Sequence, residues 1–330
     1  MVVLFGPTAL GKTAIAVELA ERLGAEIVTA DSMQVYAGLP ILTNQPTADQ
    51  AARVPHHLTG FVAPQADFSA AAYASLAHDA IDGLLARGRG VVIEGGSGLY
   101  VRAALGGLHF GPAPDPAVRA GLELRLHREG VVALAADLLR LDPALAGSVD
   151  LANPRRVLRA LEAVAASQSH LGTAGLSGDT TAGPGGPTAA SPVAELWAPG
   201  DRYHHALVAL TADRELLQRR IDERVDRMIA DGALDELRAV RATGPLSRTL
   251  QQAIGVRELS ACLDGALSVA EAATQTKQRT RRLVRRQLTW MRKLPDAVTI
   301  AVTGDSPGAV ADRLATLLGT SPAARRPPAG

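Results

Sequence analysis

The residues Gly6-Pro7-Thr8-Ala9-Leu10-Gly11-Lys12-Thr13 satisfy the full G-x-x-x-x-G-K-[ST] pattern. In that pattern, glycines let backbone N–H groups curl around phosphate oxygens, and the N-terminus of the following helix adds partial positive charge. Lys12 is spaced to reach the terminal phosphates, and the Thr13 hydroxyl to ligate Mg²⁺. The loop lies between a strand-like run and a helix-like one, a context that a chance match in a glycine-rich chain does not supply. It specifies a bound diphosphate group but not which one; ATP or GTP is the ordinary ligand.

Two carboxylates follow strand-like runs. Asp31 comes after 26–30 and Glu94 after 91–93. In open parallel sheets, ligands bind beyond the carboxyl ends of the strands. Asp31 there either takes a proton from a nucleophile attacking near the diphosphate or caps a turn. With a simple chain order, its strand neighbours the one that enters the phosphate loop. Glu94 either replaces the metal-holding aspartate of nucleotide hydrolases or is a hydrogen-bonded strand-end glutamate.

The stretch 277–293 holds eight basic residues (Lys277, Arg279, Arg281, Arg282, Arg285, Arg286, Arg292, Lys293) and no acid. Val284, Leu288 and Met291 are spaced to face a core. The broad cationic face predicts contact with RNA phosphates, against the alternative of a solvated helix paired with acids elsewhere. Trp290 is expected to pack rather than stack on a base. His56 and His57 are expected to be loop hydrogen-bonders, because no partner cluster for a metal is in sight.

These residues need a frame. Val2–Phe5, 26–30 and 91–94 read as strands, and Lys12–Leu23 as a helix stopped by Gly24. Ser69 caps a predicted helix that Gly88 ends. Alternating strands and helices imply an α/β fold with a P-loop NTPase-like parallel sheet flanked by helices. After Gly106 the pattern changes. Residues 116–167 read as purely helical, and 171–193 as a flexible Gly/Thr/Ser/Ala/Pro linker. A strand at 205–210, a charged helix from Asp213 to Ala230, a capping box at Ser268 opening a long helix, a strand at 298–302 and a helix over 307–318 follow. The expected organisation is a first part of the core at 1–108, a helical insertion domain at 109–199, and a second part at 200–319 containing the basic helix 268–293. A disordered tail is expected at 320–330.

The 330 residues allow one large domain or two, and 47% hydrophobic content marks a globular chain. A net charge of +1 does not announce a nucleic-acid partner by itself. One cysteine, Cys262, excludes an intrachain disulfide and a cysteine-based zinc site. No basic leader precedes the first strand and no apolar run spans a bilayer, so a cytoplasmic protein without membrane association is expected.

Beyond the phosphate loop, a series of blocks stands in a fixed order. They are Asp31-Ser32-Met33-Gln34-Val35-Tyr36, Pro55-His56-His57-Leu58, Gly95-Gly96-Ser97-Gly98-Leu99-Tyr100 and Leu141-Asp142-Pro143. Asn153-Pro154-Arg155-Arg156-Val157-Leu158-Arg159-Ala160-Leu161-Glu162, Arg220-Ile221-Asp222-Glu223-Arg224-Val225, Gln252-Ala253-Ile254-Gly255 and 280–290 complete the series. With these the chain resembles the tRNA dimethylallyltransferases, also called tRNA isopentenyltransferases, over nearly its whole length to about residue 293.

The resemblance implies transfer of a dimethylallyl group from dimethylallyl diphosphate to N6 of adenosine 37. The target base lies 3′ of the anticodon in tRNAs reading codons that begin with U. The products would be N6-isopentenyladenosine and diphosphate. The resemblance makes Asp31, Arg224 and Ser97 the catalytic set. Asp31 accepts a proton from the adenine amine and Arg224 stabilises the departing diphosphate. Residues 6–13 hold the donor, with Thr13 on Mg²⁺. Asp31, Ser32, Met33, Gln34, Ser97, Arg119, Arg155, Arg156 and Arg159 match tRNA-contacting positions, and Arg281, Arg282, Arg285 and Arg286 join them from the basic helix. The insertion would grip the anticodon stem-loop, and a monomer is expected. Leu10 stands where the family often has serine, Gln45 where lysine is common, and Ala37 where arginine or lysine is common. The competing readings are a small-molecule kinase or free-nucleotide prenyltransferase, which leaves the basic helix unexplained, and a nucleotide-dependent RNA-binding switch without transfer chemistry.

Overall fold

The computed structural model describes residues 1–106, 108, 115–173, 201–292, 294 and 297–320, and the side chains of all of these except 169–173 and 320. The chain divides into two compact units, Met1–Gly107 with Pro199–Gly330, and Leu108–Ala198.

The first unit begins with β1 (Val2–Phe5), α1 (Lys12–Leu23), β2 (Ala25–Thr29), α2 (Pro40–Thr43), α3 (Ala48–Arg53), β3 (His56–His57), α4 (Ala70–Ala86), β4 (Gly90–Gly95) and α5 (Gly98–Leu105). The second unit holds α6 (Pro116–Leu141), α7 (Pro143–Ser148) and α8 (Pro154–Thr173). The first unit then resumes with β5 (Ala206–Thr211), α9 (Arg214–Ala230), α10 (Ala233–Ala242), α11 (Arg248–Gln251), α12 (Val256–Leu263), α13 (Val269–Met291), β6 (Val298–Ala301) and α14 (Pro307–Thr320).

All six strands run parallel in the order β3-β2-β4-β1-β5-β6. β1 is buried at every residue, as a strand covered on both faces must be. The order differs from the simple one expected. β4 lies between β2 and β1, so Leu4 and Thr29 both pair with Glu94. The carboxyl end of β4 therefore stands between Asp31 and the phosphate loop.

Local chemistry explains the helix limits. α1 stops at Gly24, which is left-handed at φ 59°. Ser69 and Asp213 accept amides of the first turns of α4 and α9. Ser268 and Glu271 form the capping box that starts α13. Three helices, α10 to α12, occupy a region in which the sequence pattern had marked none. Their apolar residues Leu237, Leu250, Val256 and Leu259 pack around Val35 and Tyr36.

In the second unit, the stretch expected to be purely helical breaks at Gly130 (φ 78°, ψ 171°) inside α6. Leu134, Leu138, Leu145, Val157 and Leu161 form its core. The linker expected at 171–193 and the tail expected at 320–330 lie outside the described residues, apart from the ends of α8 and α14. No helix among the described residues is long and apolar enough to cross a membrane.

Candidate active site

The 6–13 loop leaves β1 and turns into α1 through two left-handed residues, Ala9 (φ 67°) and Gly11 (φ 83°). No side chain caps α1, so its first amides face the loop's concavity. Lys12 Nζ donates to Pro7 O at 3.0 Å, holding the ammonium over the cradle. Leu10 is 1% exposed. Its side chain belongs to the core while its carbonyl accepts from Arg220 Nη1 at 3.0 Å. Burying a leucine contributes about 1.5–3 kcal/mol, so this departure from the family pattern anchors the loop.

The loop opens onto a cleft of about 460 Å³, lined also by Asp31, Gln34, Glu94 and Arg224. Asp31 holds a turn and also faces the cleft. Its Oδ1 accepts from Met33 N (2.8 Å) and Gln34 N (3.4 Å), fixing the turn after β2. The same carboxylate lines the cleft, and its Oδ2 takes no hydrogen bond from the described residues. Gln34 is 8% exposed and its Oε1 has no hydrogen-bond partner among the described residues. Gln45 donates its amide to Gln34 O (3.1 Å) and Tyr36 O (2.7 Å), tying down the 31–36 segment. An amide thus does here what a donating lysine head could do.

Arg224 Nη1 donates to Thr8 Oγ1 at 2.8 Å. Burial lowers the pKa of Arg224, and the nearby Asp31 opposes that. Lys12 is lowered by burial too, with Glu94 and Asp31 raising it and Arg224 lowering it. Burial raises the pKa of Glu94, with Lys12 and the Thr13 hydroxyl opposing the rise and Asp31 adding to it. The cleft thus gathers Lys12, Arg220 and Arg224 around the phosphate loop at some desolvation cost, with the carboxylates of Asp31 and Glu94 lining the same space.

Two close contacts explain the Gly-Gly-Ser-Gly loop. A Cβ on Gly96 would sit 2.4 Å from Gln287 Nε2, and a Cβ on Gly98 would sit 2.2 Å from Trp290 Cε3. Gln287 donates to Gly96 O (2.8 Å) and accepts from Thr8 N (3.0 Å), bridging this loop to the phosphate loop. Trp290 packs as expected. Ser97 opens α5 without a side-chain cap and lies outside the cleft lining, as do Ser32 and Met33.

The buried stripe of α13 is Ala272, Thr276, Thr280, Val284 and Gln287, with Leu288 partly buried beside it. Three of the basic residues are ion-paired: Lys277 with Asp226 (2.6 Å), Arg279 with Glu258 and Arg281 with Asp222 (2.5 Å each). Arg282, Arg285, Arg286 and Arg292 are exposed and have no carboxylate partner among the described residues. In the second unit, Arg155, Arg156 and Arg159 are exposed on α8 while Val157 and Leu158 beside them are buried. Arg119 pairs with the buried Glu162 at 3.1 Å, and Arg159 approaches it at 3.8 Å. His56 and His57 bond to Val54 O and to Glu26, each at 2.9 Å or less.

Sequence reasoning placed Gln287 and Arg220 in the family blocks but gave neither a role at the site. The signal for Gln287 was present: it is a polar residue in register with the apolar stripe of an otherwise charged helix.

A model of the IPP transferase family matches residues 34–294. The chain belongs to that family. Two relatives of this IPP transferase, both named tRNA dimethylallyltransferase, extend the likeness to nearly the whole chain. That of Geobacter metallireducens is 38% identical over 97% of this chain and 96% of its own. That of an Anaeromyxobacter species is 43% identical over 92% and 94%. Among solved structures, the full-length tRNA isopentenylpyrophosphate transferase of Bacillus halodurans matches this IPP transferase with a TM-score of 0.67. It is 32% identical, over 96% of this chain and 95% of that one. A eukaryotic dimethylallyltransferase solved acting on tRNA shares the fold, with a TM-score of 0.76 at 21% identity over 99% and 80%.

Proposed function

We propose that this IPP transferase moves the dimethylallyl group of dimethylallyl diphosphate onto N6 of adenosine 37 in tRNAs reading codons that begin with U. One observation carries the reading: the phosphate loop, Asp31 and Arg224 line a single cleft.

The amine nitrogen attacks the allylic carbon, a C–N bond forms, and the C–O bond to diphosphate breaks. Charge grows on the diphosphate oxygens as they leave. The loop amides, Lys12 and Arg224 are already aimed at that charge, so little reorganisation is needed. The attacking nitrogen becomes cationic and loses its proton to Asp31, whose Oδ2 is available. A stacked adenine cannot reach the cleft, so the base is flipped out to enter it. The Thr13 hydroxyl is a hard oxygen donor beside the loop and fits Mg²⁺. Thr13 would hold the ion there, and the ion would supply positive charge to the leaving group.

Arg282, Arg285 and Arg286 on α13 and Arg155, Arg156 and Arg159 on α8 supply phosphate contacts to the anticodon stem-loop. Arg281 and Arg119 contribute less, since each already has a carboxylate partner. Ser97 contributes through its loop to the RNA side of the site. We place the reaction in the cytoplasm and assign it to a monomer.

The test is mass spectrometry of nucleosides from unmodified tRNA incubated with enzyme, Mg²⁺ and donor. Isopentenyladenosine is the expected product. Its absence, with ATP bound tightly instead, would favour the nucleotide-switch reading.

A further inference from the structure

Glu94 is not used by the mechanism above, yet it occupies the middle of the site. It ends β4 between the strands that deliver Asp31 and the phosphate loop, and it is 2% exposed. Its Oε1 accepts from Thr13 Oγ1 at 3.1 Å. Its Oε2 takes no hydrogen bond from the described residues, and the residue lines the cleft. Lys12 is close enough to act on it electrostatically, but hydrogen-bonds to Pro7 O instead.

A buried carboxylate beside a diphosphate cradle is a physical conflict. At about 4 Å and an effective dielectric near 20, two unit charges interact by about 4 kcal/mol. Lys12 offsets part of that repulsion, and a cation standing between the carboxylate and the diphosphate would remove the rest. Hydroxyl and carboxylate oxygens side by side are the hard donors that Mg²⁺ takes, with diphosphate oxygens and water completing its shell.

We propose that Glu94 joins Thr13 as a ligand of the divalent cation, so that this chain's cradle accepts a diphosphate only together with the metal. The proposal rests on the reading that residues 6–13 hold a diphosphate. It makes β4 the source of the acidic metal ligand and leaves Asp31 free for the proton.

The experiment measures binding, not turnover. Inorganic diphosphate is titrated calorimetrically into wild type, Glu94→Gln and Glu94→Asp, with Mg²⁺ and with EDTA. Wild type should gain up to about a thousandfold in affinity from Mg²⁺, the factor that corresponds to removing a charge repulsion of this size. Glu94→Gln is isosteric and keeps an acceptor for Thr13. It should bind metal-free diphosphate more tightly than wild type and lose most of the Mg²⁺ gain. Glu94→Asp should keep part of that gain. A Glu94→Gln protein with the wild-type Mg²⁺ gain overturns the proposal. A wild-type protein that binds no diphosphate under either condition overturns the phosphate-loop reading as well. Wild type alone gives a second reading by thermal melting: diphosphate with Mg²⁺ should raise Tm and diphosphate with EDTA should not. Equal rises would also overturn the proposal.

Discussion

Arg224 rests its guanidinium on the hydroxyl of Thr8, at 2.8 Å. The cation on α9 is thus fastened to the loop whose ligand it is to serve. Removing that hydroxyl with Thr8→Val leaves the charge but frees its position. We expect kcat to fall about tenfold in Thr8→Val and about 10²–10³-fold in Arg224→Ala, the range for losing one preorganised donor to a developing oxyanion. Single-turnover rates at saturating donor check this. Equal losses in the two variants would mean that the hydroxyl acts on the ligand directly.

Asp31 holds a turn and a cleft position at once, so two substitutions separate its roles. Asp31→Asn keeps an acceptor for the Met33 and Gln34 amides but cannot take a proton. It should fold with wild-type Tm, bind tRNA within a few-fold of wild type, and turn over about 10²–10⁴-fold more slowly. Asp31→Ala loses the turn as well, with a further stability cost of about 0.5–2 kcal/mol, visible in denaturant melts. Normal single-turnover rates in Asp31→Asn would remove Asp31 from the chemistry.

Gln287 makes two hydrogen bonds across the site, to the Thr8 amide and the Gly96 carbonyl. Gln287→Ala strands both groups, each at about 1–3 kcal/mol if left unsatisfied. The variant should melt lower and show a raised KM for the donor. Gln287→Glu keeps the acceptor for Thr8 but loses the donor to Gly96, so an intermediate donor KM is expected. Identical donor KM values in wild type and Gln287→Ala would reduce the bridge to a packing contact.

The cationic face of α13 divides into paired and unpaired arginines. Replacing Arg282, Arg285 and Arg286 together by alanine should weaken tRNA binding. It should also lower the slope of log K against log salt by about 2–3, at about 0.7–0.9 per phosphate contact. Arg281→Ala, which first gives up an ion pair with Asp222, should change the slope by less than any one of the three. A triple variant with an unchanged slope would place the RNA elsewhere.

The sheet's first half and the phosphate loop were legible because their signals are local. The glycine spacing, the apolar run ahead of it and Gly24 behind α1 each act within a few residues. The cap residues Ser69, Asp213 and Ser268 were legible for the same reason. Strand order was not. Nothing near β2 says that β4 will slide between it and β1, because that depends on packing of segments far apart in sequence. Helices α10 to α12 escaped notice because they are short and take much of their stability from Val35 and Tyr36, distant in sequence. The pairing of Arg281 with Asp222 was hidden for a like reason: a charge run shows its sign but not the acids on a helix nearly sixty residues earlier.

The central position of β1 bears on how the molecule is made. Val2 is made well before either of its partners, yet it must pair with Val92 on one side and Ala206 on the other. Until the second partner is synthesised, one edge of a fully apolar strand stays open to other chains. The 110 residues between β4 and β5, most of them in the helical unit, lengthen that interval. Slowing translation within them should therefore raise aggregation of the nascent protein, and a holding chaperone should suppress it.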